Sequence, residues 1–106
     1  MSKGTSTIQV GQIVRVTQGR EKGKLAVIIG KINERFVLLA DGDKRKYDSP
    51  KKKNINHIER TNFISEEVRK SLLETNRVSN GKLRFAIAKY REEVVTLLEK
   101  GDVHDV

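Results

Sequence analysis

The residues of this chain that are best suited to chemistry form a short basic loop with the sequence GREKGK, residues 19–24. Gly19 and Gly23 bracket the loop, tolerate positive φ and let the backbone approach a ligand closely. Between and beside these glycines, the side chains of Arg20, Lys22 and Lys24 carry positive charge. The chemistry that this arrangement offers is the binding of an anion, above all the phosphate groups of a nucleic acid.

Two further basic clusters follow the loop along the chain, and because the loops of a small barrel gather at its ends, we expect all three to form one patch. Each lysine taken singly is also compatible with a solvated surface. Tyr47 is the candidate base stacker, and His57 is either a packing residue or a second stacker. The candidate RNA-binding residues are Arg15, Gly19, Arg20, Lys22, Gly23, Lys24, Lys44, Arg45, Lys46, Tyr47, Lys51, Lys52, Lys53 and His57.

The excess of positive over negative charge is confined to the first part of the chain. Residues 1–60 contain 14 Lys and Arg against 6 Asp and Glu, a formal charge of +8, whereas residues 61–106 contain 8 of each kind. A surface made basic for solubility alone does not need this segregation, whereas a surface that meets phosphates does. The charge distribution therefore favours a nucleic-acid partner for the first 60 residues.

Catalytic and metal-binding patterns are absent from the sequence. It has two histidines, no cysteine and no nucleophile-elbow, zinc-protease or Walker pattern. We therefore expect a protein that is not an enzyme and that needs no cofactor, metal or small-molecule substrate. No apolar run is long enough to cross a bilayer and the N-terminus lacks a signal-peptide core, so we also expect a cytoplasmic protein with no membrane partner.

Short apolar stretches separated by turn residues predict five β-strands in the first 60 residues, the pattern of a small barrel. The second of these strands is apolar at nearly every position, as expected of a strand covered on both faces, and Gly30 predicts a bulge within it. Pro50 has no N–H to donate and is expected to end the fourth strand. The predicted strands are residues 12–17, 25–32, 35–40, 45–47 and 54–58.

From Ile64 the apolar period changes from two to about 3.6, which predicts helices over residues 66–74 and 82–100. Ser65 is the expected N-cap of the first helix and Gly101 the expected C-cap of the second. The apolar stripe of the second helix consists of Leu83, Ile87, Tyr90, Val94 and Leu97. The predicted organisation is a flexible N-terminus (1–9), a barrel (10–62), a helical hairpin (63–101) and a frayed tail (102–106).

The basic loop and its flanking strands resemble a known motif. The spacing V-x-V-x-x-G-x-x-K-G-x-x-A is similar to the KOW motif of ribosomal proteins and transcription elongation factors, and it is carried by Val14, Val16, Gly19, Lys22, Gly23 and Ala26. The likeness continues at residues 10–11, 41–42, 56–57 and 61. Over about the first 60 residues the chain is similar to the archaeal and eukaryotic large-subunit ribosomal protein family of the "fourteen" type and to its small bacterial KOW relatives.

The resemblance implies a mainly β plus α fold class, a small SH3-like (KOW) five-stranded barrel followed by a C-terminal helical hairpin. It also implies docking on structured ribosomal RNA through Arg15, Gly19, Lys22, Gly23, Lys24, Asn56 and His57. Members of the "fourteen"-type family carry a long basic helical extension, whereas residues 61–106 are neutral overall. This departure favours contact with a protein, or bracing of the barrel, as the role of the hairpin.

The sequence therefore predicts a non-enzymatic RNA-binding protein of the translation apparatus, associated with the ribosome and recognising the backbone of ribosomal RNA. The alternative is a KOW protein-interaction module that docks on the transcription machinery or on another protein. Salt discriminates between them, because binding to phosphates weakens steeply as salt rises and binding through an apolar protein interface does not.

Overall fold

The computed structural model describes residues 8–104, with side chains described as far as Leu98. Its elements are β1 (Gln12–Val16), β2 (Leu25–Lys31), β3 (Phe36–Ala40), β4 (Lys51–Asn54), a 3-10 turn (Ile55–His57), β5 (Ile58–Ile64), α1 (Glu66–Thr75) and α2 (Asn80–His104). The strands form one antiparallel sheet in the order β4-β3-β2-β1-β5. The predicted fold class, five antiparallel strands followed by two helices, is confirmed. Residues 1–7 of the predicted flexible N-terminus and residues 105–106 of the predicted tail lie outside the described residues.

The apolar residues of the sheet divide between its two faces. One face packs against the helices, where Ile13 and Val27 meet Val68 and Leu83. The other face encloses a second cluster, formed by Ile8, Val14, Val16, Ala26, Ile28, Val37 and Leu39 and flanked by Ile55 and Ile58. Because β2 contributes to both clusters, it is apolar at nearly every position, as the sequence predicted.

The sheet departs from regular pairing at two places, and both increase its coiling. The register between β2 and β3 shifts between Ile28 and Gly30, which confirms the bulge predicted at that glycine. The register between β1 and β5 shifts between Gln12 and Val14. Here the Thr61 hydroxyl donates a hydrogen bond of 2.8 Å to the carbonyl of Ile13, so a side chain satisfies a backbone acceptor of β1.

The predicted positions of the fourth and fifth strands are wrong. Residues 45–47 lie in a loop, because the Asp41 carboxylate accepts hydrogen bonds from the backbone N–H groups of Asp43 (2.8 Å) and Arg45 (2.9 Å) and folds the chain into a turn. The fourth strand is Lys51–Asn54, so Pro50 precedes this strand and does not end it. The stretch predicted as the fifth strand spans the end of β4, the 3-10 turn and the start of β5.

The two helices begin at side-chain caps. The Ser65 hydroxyl accepts a hydrogen bond of 3.2 Å from the N–H of Val68, which confirms the predicted cap of α1. The Ser79 hydroxyl accepts one of 3.1 Å from the N–H of Lys82, so α2 begins two residues before its predicted start. The predicted C-cap at Gly101 is wrong, since α2 continues to His104. Within the described residues no helix is both long and apolar enough to cross a membrane.

Candidate nucleic-acid interface

The loop between β1 and β2, residues 17–24, is a compact turn closed by its own backbone. The N–H of Gly23 donates to the carbonyl of Val16 over 2.7 Å, and that of Lys24 donates to Glu21 over 3.0 Å. Gly19 and Gly23 have φ of +96° and +89°, the region that favours glycine. The backbone therefore holds three exposed cationic side chains outward, none of which has an ion pair or hydrogen bond among the described residues. They are Arg20, Lys22 and Lys24.

Strand pairing places the loop between β3 and β4, residues 41–50, at the same end of the sheet as the β1–β2 loop. Arg15, one residue before the end of β1, lies opposite Leu25 at the start of β2, and Val27 lies opposite Ala40 at the end of β3. Lys51, the first residue of β4, lies at this end too, opposite Leu39. The first two basic clusters of the sequence, and Lys51 of the third, are thus brought to one end of the sheet.

An ion pair connects the two loops. A guanidinium nitrogen of Arg45 lies 3.3 Å from a carboxylate oxygen of Glu21, and both side chains are about two-thirds buried, at 35% and 29% exposure. The Nε atom of Arg45 is buried without an acceptor among the described residues. The sequence predicts that Arg45 contacts RNA, but its charge is paired with Glu21 and fixes one loop against the other.

The lysine run of β4 does not form a single patch, because successive side chains of a strand point to opposite faces. The ammonium of Lys53 donates a hydrogen bond of 3.2 Å to the carbonyl of Gln18 and so lies beside the β1–β2 loop. The ammonium of Lys52 lies 4.5 Å from the centre of the Phe36 ring, as a cation–π contact on the other face. Lys51 is exposed. Lys52 is thus separated from the other candidate cations.

Lys44 and Lys46 belong to the β3–β4 loop. Lys44 is exposed and has no ion pair or hydrogen bond among the described residues. The ammonium of Lys46 donates a hydrogen bond of 3.1 Å to the carbonyl of Asp43, which leaves this exposed cation tied to its own loop.

The candidate stackers Tyr47 and His57 have structural contacts. The Tyr47 ring packs against the core under α2, and its hydroxyl donates to the carbonyl of Asn76 over 3.1 Å. His57 ends the 3-10 turn, where its carbonyl accepts a hydrogen bond of 2.8 Å from the N–H of Thr17. Base stacking by His57 stays a prediction, whereas the Tyr47 ring is already committed to packing.

The candidate arginine of β1 lies at the edge of this end of the sheet. Nη1 of Arg15 donates a hydrogen bond of 3.4 Å to the carbonyl of Gly23, and its Nε atom lies 3.9 Å from the Glu59 carboxylate. Arg15 is exposed, and this long, solvent-screened ion pair adds little stability. Its guanidinium therefore stays accessible beside the β1–β2 loop.

Comparison with known proteins shows that the chain is similar in sequence to a curated protein. Over 71 residues the chain is 44% identical to a protein of Bacillus subtilis (strain 168) named "Putative ribosome-binding protein YbzG", and the match covers 67% of this chain and 96% of the relative. The chain belongs to the YbzG family. No family model matches the chain, so its likeness to KOW proteins depends on the motif residues alone.

In this YbzG-family chain, α2 brings two further cations to the same end of the sheet. Arg84 and Arg91 line a cleft of about 430 Å³ together with Lys24 and Lys44. The sequence prediction omitted both arginines because residues 61–106 are neutral as a whole. A shorter window contains the signal, since residues 76–91 include five Lys and Arg and no Asp or Glu.

Proposed function

We propose that this protein is a non-enzymatic, ribosome-associated RNA-binding protein of the cytoplasm, and that it holds the backbone of ribosomal RNA. The family relationship supports the ribosome as partner, because the relative's name describes ribosome binding. The observation that carries the proposal is a set of exposed cations at one end of the sheet, without protein partners among the described residues. This set comprises Arg20, Lys22, Lys24 and Lys44.

The distribution of ion pairs supports a binding role for this end of the sheet. Arg45 is paired with Glu21, and Arg69 with Glu66. The four exposed cations have no carboxylate partner of this kind. Bringing them together therefore adds no attractive interaction to the folded state. Like charges held together cost free energy, which a polyanion would repay by displacing its own counterions. This reasoning supports phosphate as the group that the surface binds.

Recognition by shape and backbone fits the aromatic residues better than base reading does. Modules that read single-stranded RNA usually present two or three exposed aromatic rings. Here the Tyr47 ring packs on the core, and the Phe63 ring packs against Tyr90 with their centres 5.9 Å apart. The KOW motif and the strand order β4-β3-β2-β1-β5 support an SH3-like KOW barrel as the unit that docks.

Reversing two charges of the β1–β2 loop tests the proposal. We expect Lys22→Glu with Lys24→Glu to abolish sedimentation of the protein with Bacillus subtilis ribosomes, because attraction to phosphates becomes repulsion. The fold should survive, since both side chains are exposed and neither forms an ion pair or hydrogen bond with another described residue. A sucrose-gradient assay measures binding, and a thermal melt followed by circular dichroism measures the fold.

The matched control carries the same change of charge at the other end of β2. Lys31 and Arg35 are exposed there, roughly 20 Å along the strand from Leu25. Lys31→Glu with Arg35→Glu should leave most of the ribosome binding intact. Equal loss in both double variants would reduce the effect to net charge, and unchanged binding in the loop variant would overturn the proposed site.

A protein-interaction role is the second candidate, and exposed apolar residues of α2 favour it. Val95, Leu97 and Leu98 are 52%, 68% and 66% exposed. Side chains of this kind gain free energy when a partner protein covers them. Docking through α2, on the ribosome or on the transcription machinery, would then survive salt that weakens contact with phosphates.

A further inference from the structure

We propose that α2 is itself part of the RNA-binding surface, and that Arg84 and Arg91 bind phosphodiester groups in a cleft shared with Lys24 and Lys44. This inference rests on the proposed function. It extends the RNA-binding surface to α2, for which the neutral overall charge of residues 61–106 argues against contact with RNA. The ligand class is the sugar-phosphate backbone of the same RNA.

Three elements form the walls of the cleft. The β1–β2 loop and the first residue of β2 provide one wall, the β3–β4 loop a second, and α2 the third. The cleft, of about 430 Å³, is lined by Gly23, Lys24, Leu25, Asp41, Asp43, Lys44, Arg84, Ile87 and Arg91. An RNA strand held by the β1–β2 loop can therefore reach α2 without leaving the protein surface.

The residues that line the cleft carry a net positive charge, and most of its cations have no partner among the described residues. Four cationic side chains face two carboxylates, and the Asp41 carboxylate is already engaged by two backbone N–H groups of its own loop. The side chains of Lys24, Lys44 and Arg91 form no ion pair or hydrogen bond with any other described residue. The cleft thus keeps three unpaired cations beside Arg84 despite the nearby Asp43.

Contacts with the β3–β4 loop fix the position of α2. Nη1 of Arg84 donates a hydrogen bond of 2.6 Å to the carbonyl of Gly42, which occupies one of the five guanidinium N–H groups and leaves the others. The side-chain oxygen of Asn80 accepts a hydrogen bond of 2.7 Å from the N–H of Tyr47. Arg84 and Arg91 lie seven residues apart, on one face and about 10 Å apart along the helix axis. They offer two phosphate contacts on a rigid support.

Removing one cleft charge and one matched charge tests the inference. Arg91→Gln removes a cation that lines the cleft, and Lys89→Gln removes an exposed cation from the same turn, about 200° around the helix. Binding of each full-length variant to Bacillus subtilis ribosomes is measured by pelleting at several salt concentrations. We expect Arg91→Gln to reduce the slope of log K against log salt by roughly 0.7 to 0.9, and Lys89→Gln to leave it unchanged.

The same slope change can be expressed as a fold-change. Between about 50 and 200 mM salt, the loss of affinity should be about threefold smaller for Arg91→Gln than for the wild type. Arg91 has no described partner to lose, so a thermal melt should be unchanged.

The outcomes separate this inference from the proposed function. Suppose that the wild type binds ribosomes, that the Lys22/Lys24 double variant does not, and that Arg91→Gln behaves as the wild type. The proposed role of the α2 cleft is then overturned, and the proposed loop site is retained. Equal changes of slope in Arg91→Gln and Lys89→Gln would mean that only the net charge of the protein matters, and this result would also overturn the proposed role of the cleft. If the wild type itself does not bind ribosomes, both proposals fail.

Discussion

Two glycines at this end of the sheet have similar backbone conformations but different surroundings. Gly42 has φ of +81° and Gly23 has φ of +89°. A β-carbon added at Gly42 would clash with the backbone carbonyl of Asn80 and press on the Arg84 side chain, whereas one added at Gly23 meets nothing within 4 Å. Glycine at position 42 therefore permits close packing of the β3–β4 loop on α2, in addition to its positive φ.

Alanine at each position separates these two requirements. We expect Gly23→Ala to lower the free energy of unfolding by about 1–2 kcal/mol, the cost of positive φ alone. Gly42→Ala should lower it by roughly 2–4 kcal/mol, because the loop must also move away from α2. Urea unfolding measures both values. Equal losses would mean that the close approach of Gly42 to Asn80 does not contribute to the free energy of unfolding.

Arg45 illustrates what a sequence can and cannot say about one residue. Its position in a basic cluster predicts contact with RNA, and the pattern is the same for Lys44 beside it. The structure separates them, since Arg45 pairs with Glu21 and Lys44 has no described partner. Glu21 lies 24 residues away in sequence, so this pairing depends on the meeting of two loops. Local composition cannot report it.

At the scale of elements, the sequence predicts strands well where burial dictates their residues. The first three strands lie within one residue of their predicted bounds because their apolar patterns reflect cores on one or both faces. β4 has the sequence KKKN and lies at the edge of the sheet, where its backbone pairs with β3 and its side chains need little burial. A strand held by backbone pairing and by contacts of its lysine side chains has no apolar period to detect.

The β3–β4 loop and α2 are joined at Asn80, and this junction can be tested directly. Asn80→Ala removes the acceptor for the Tyr47 N–H, and we expect a loss of about 1–2 kcal/mol of unfolding free energy. Hydrogen exchange at the Tyr47 amide should also become faster. Asn80→Asp keeps a side-chain oxygen at this position and should retain slow exchange.

The neighbouring Ser79 supplies the control for that experiment. Its hydroxyl caps α2 through the N–H of Lys82 and, among the described residues, forms no hydrogen bond with the β3–β4 loop. Ser79→Ala should cost about 0.5–1 kcal/mol, as the loss of an exposed cap does, and leave exchange at Tyr47 unchanged. Faster exchange at Tyr47 in Ser79→Ala would mean that the whole helix end, and not the Asn80 hydrogen bond, holds the loop.

At the scale of the whole molecule, the charge of α2 is divided along its length. Residues 76–91 contain five cations and no Asp or Glu, whereas residues 92–106 contain five Asp and Glu and one Lys. The fold places the basic part against the two basic loops. The net charge of zero over residues 61–106 conceals a basic part and an acidic part. The position of α2 on the sheet shows that the basic part lies beside the loops.

The salt dependence of ribosome binding is the whole-molecule measurement that decides between phosphate contact and apolar docking. Five cations at the loop end, Arg20, Lys22, Lys24, Lys44 and Arg91, have no described partner. If each of these cations and Arg84, the other proposed phosphate contact of the cleft, neutralises one phosphate, the slope of log K against log salt is roughly −4.2 to −5.4. Affinity should then fall by about 300- to 2,000-fold between about 50 and 200 mM salt.

The competing interface predicts a different pair of results. If the apolar residues near the end of the described part of α2 dominate, Leu97→Glu with Leu98→Glu abolishes binding, and the wild-type affinity changes little with salt. Under the RNA proposal, that double variant retains a steep slope, because neither leucine lines the cleft that contains Lys24, Lys44, Arg84 and Arg91. A slope near zero would therefore remove phosphate contact as the basis of binding, whatever the affinity.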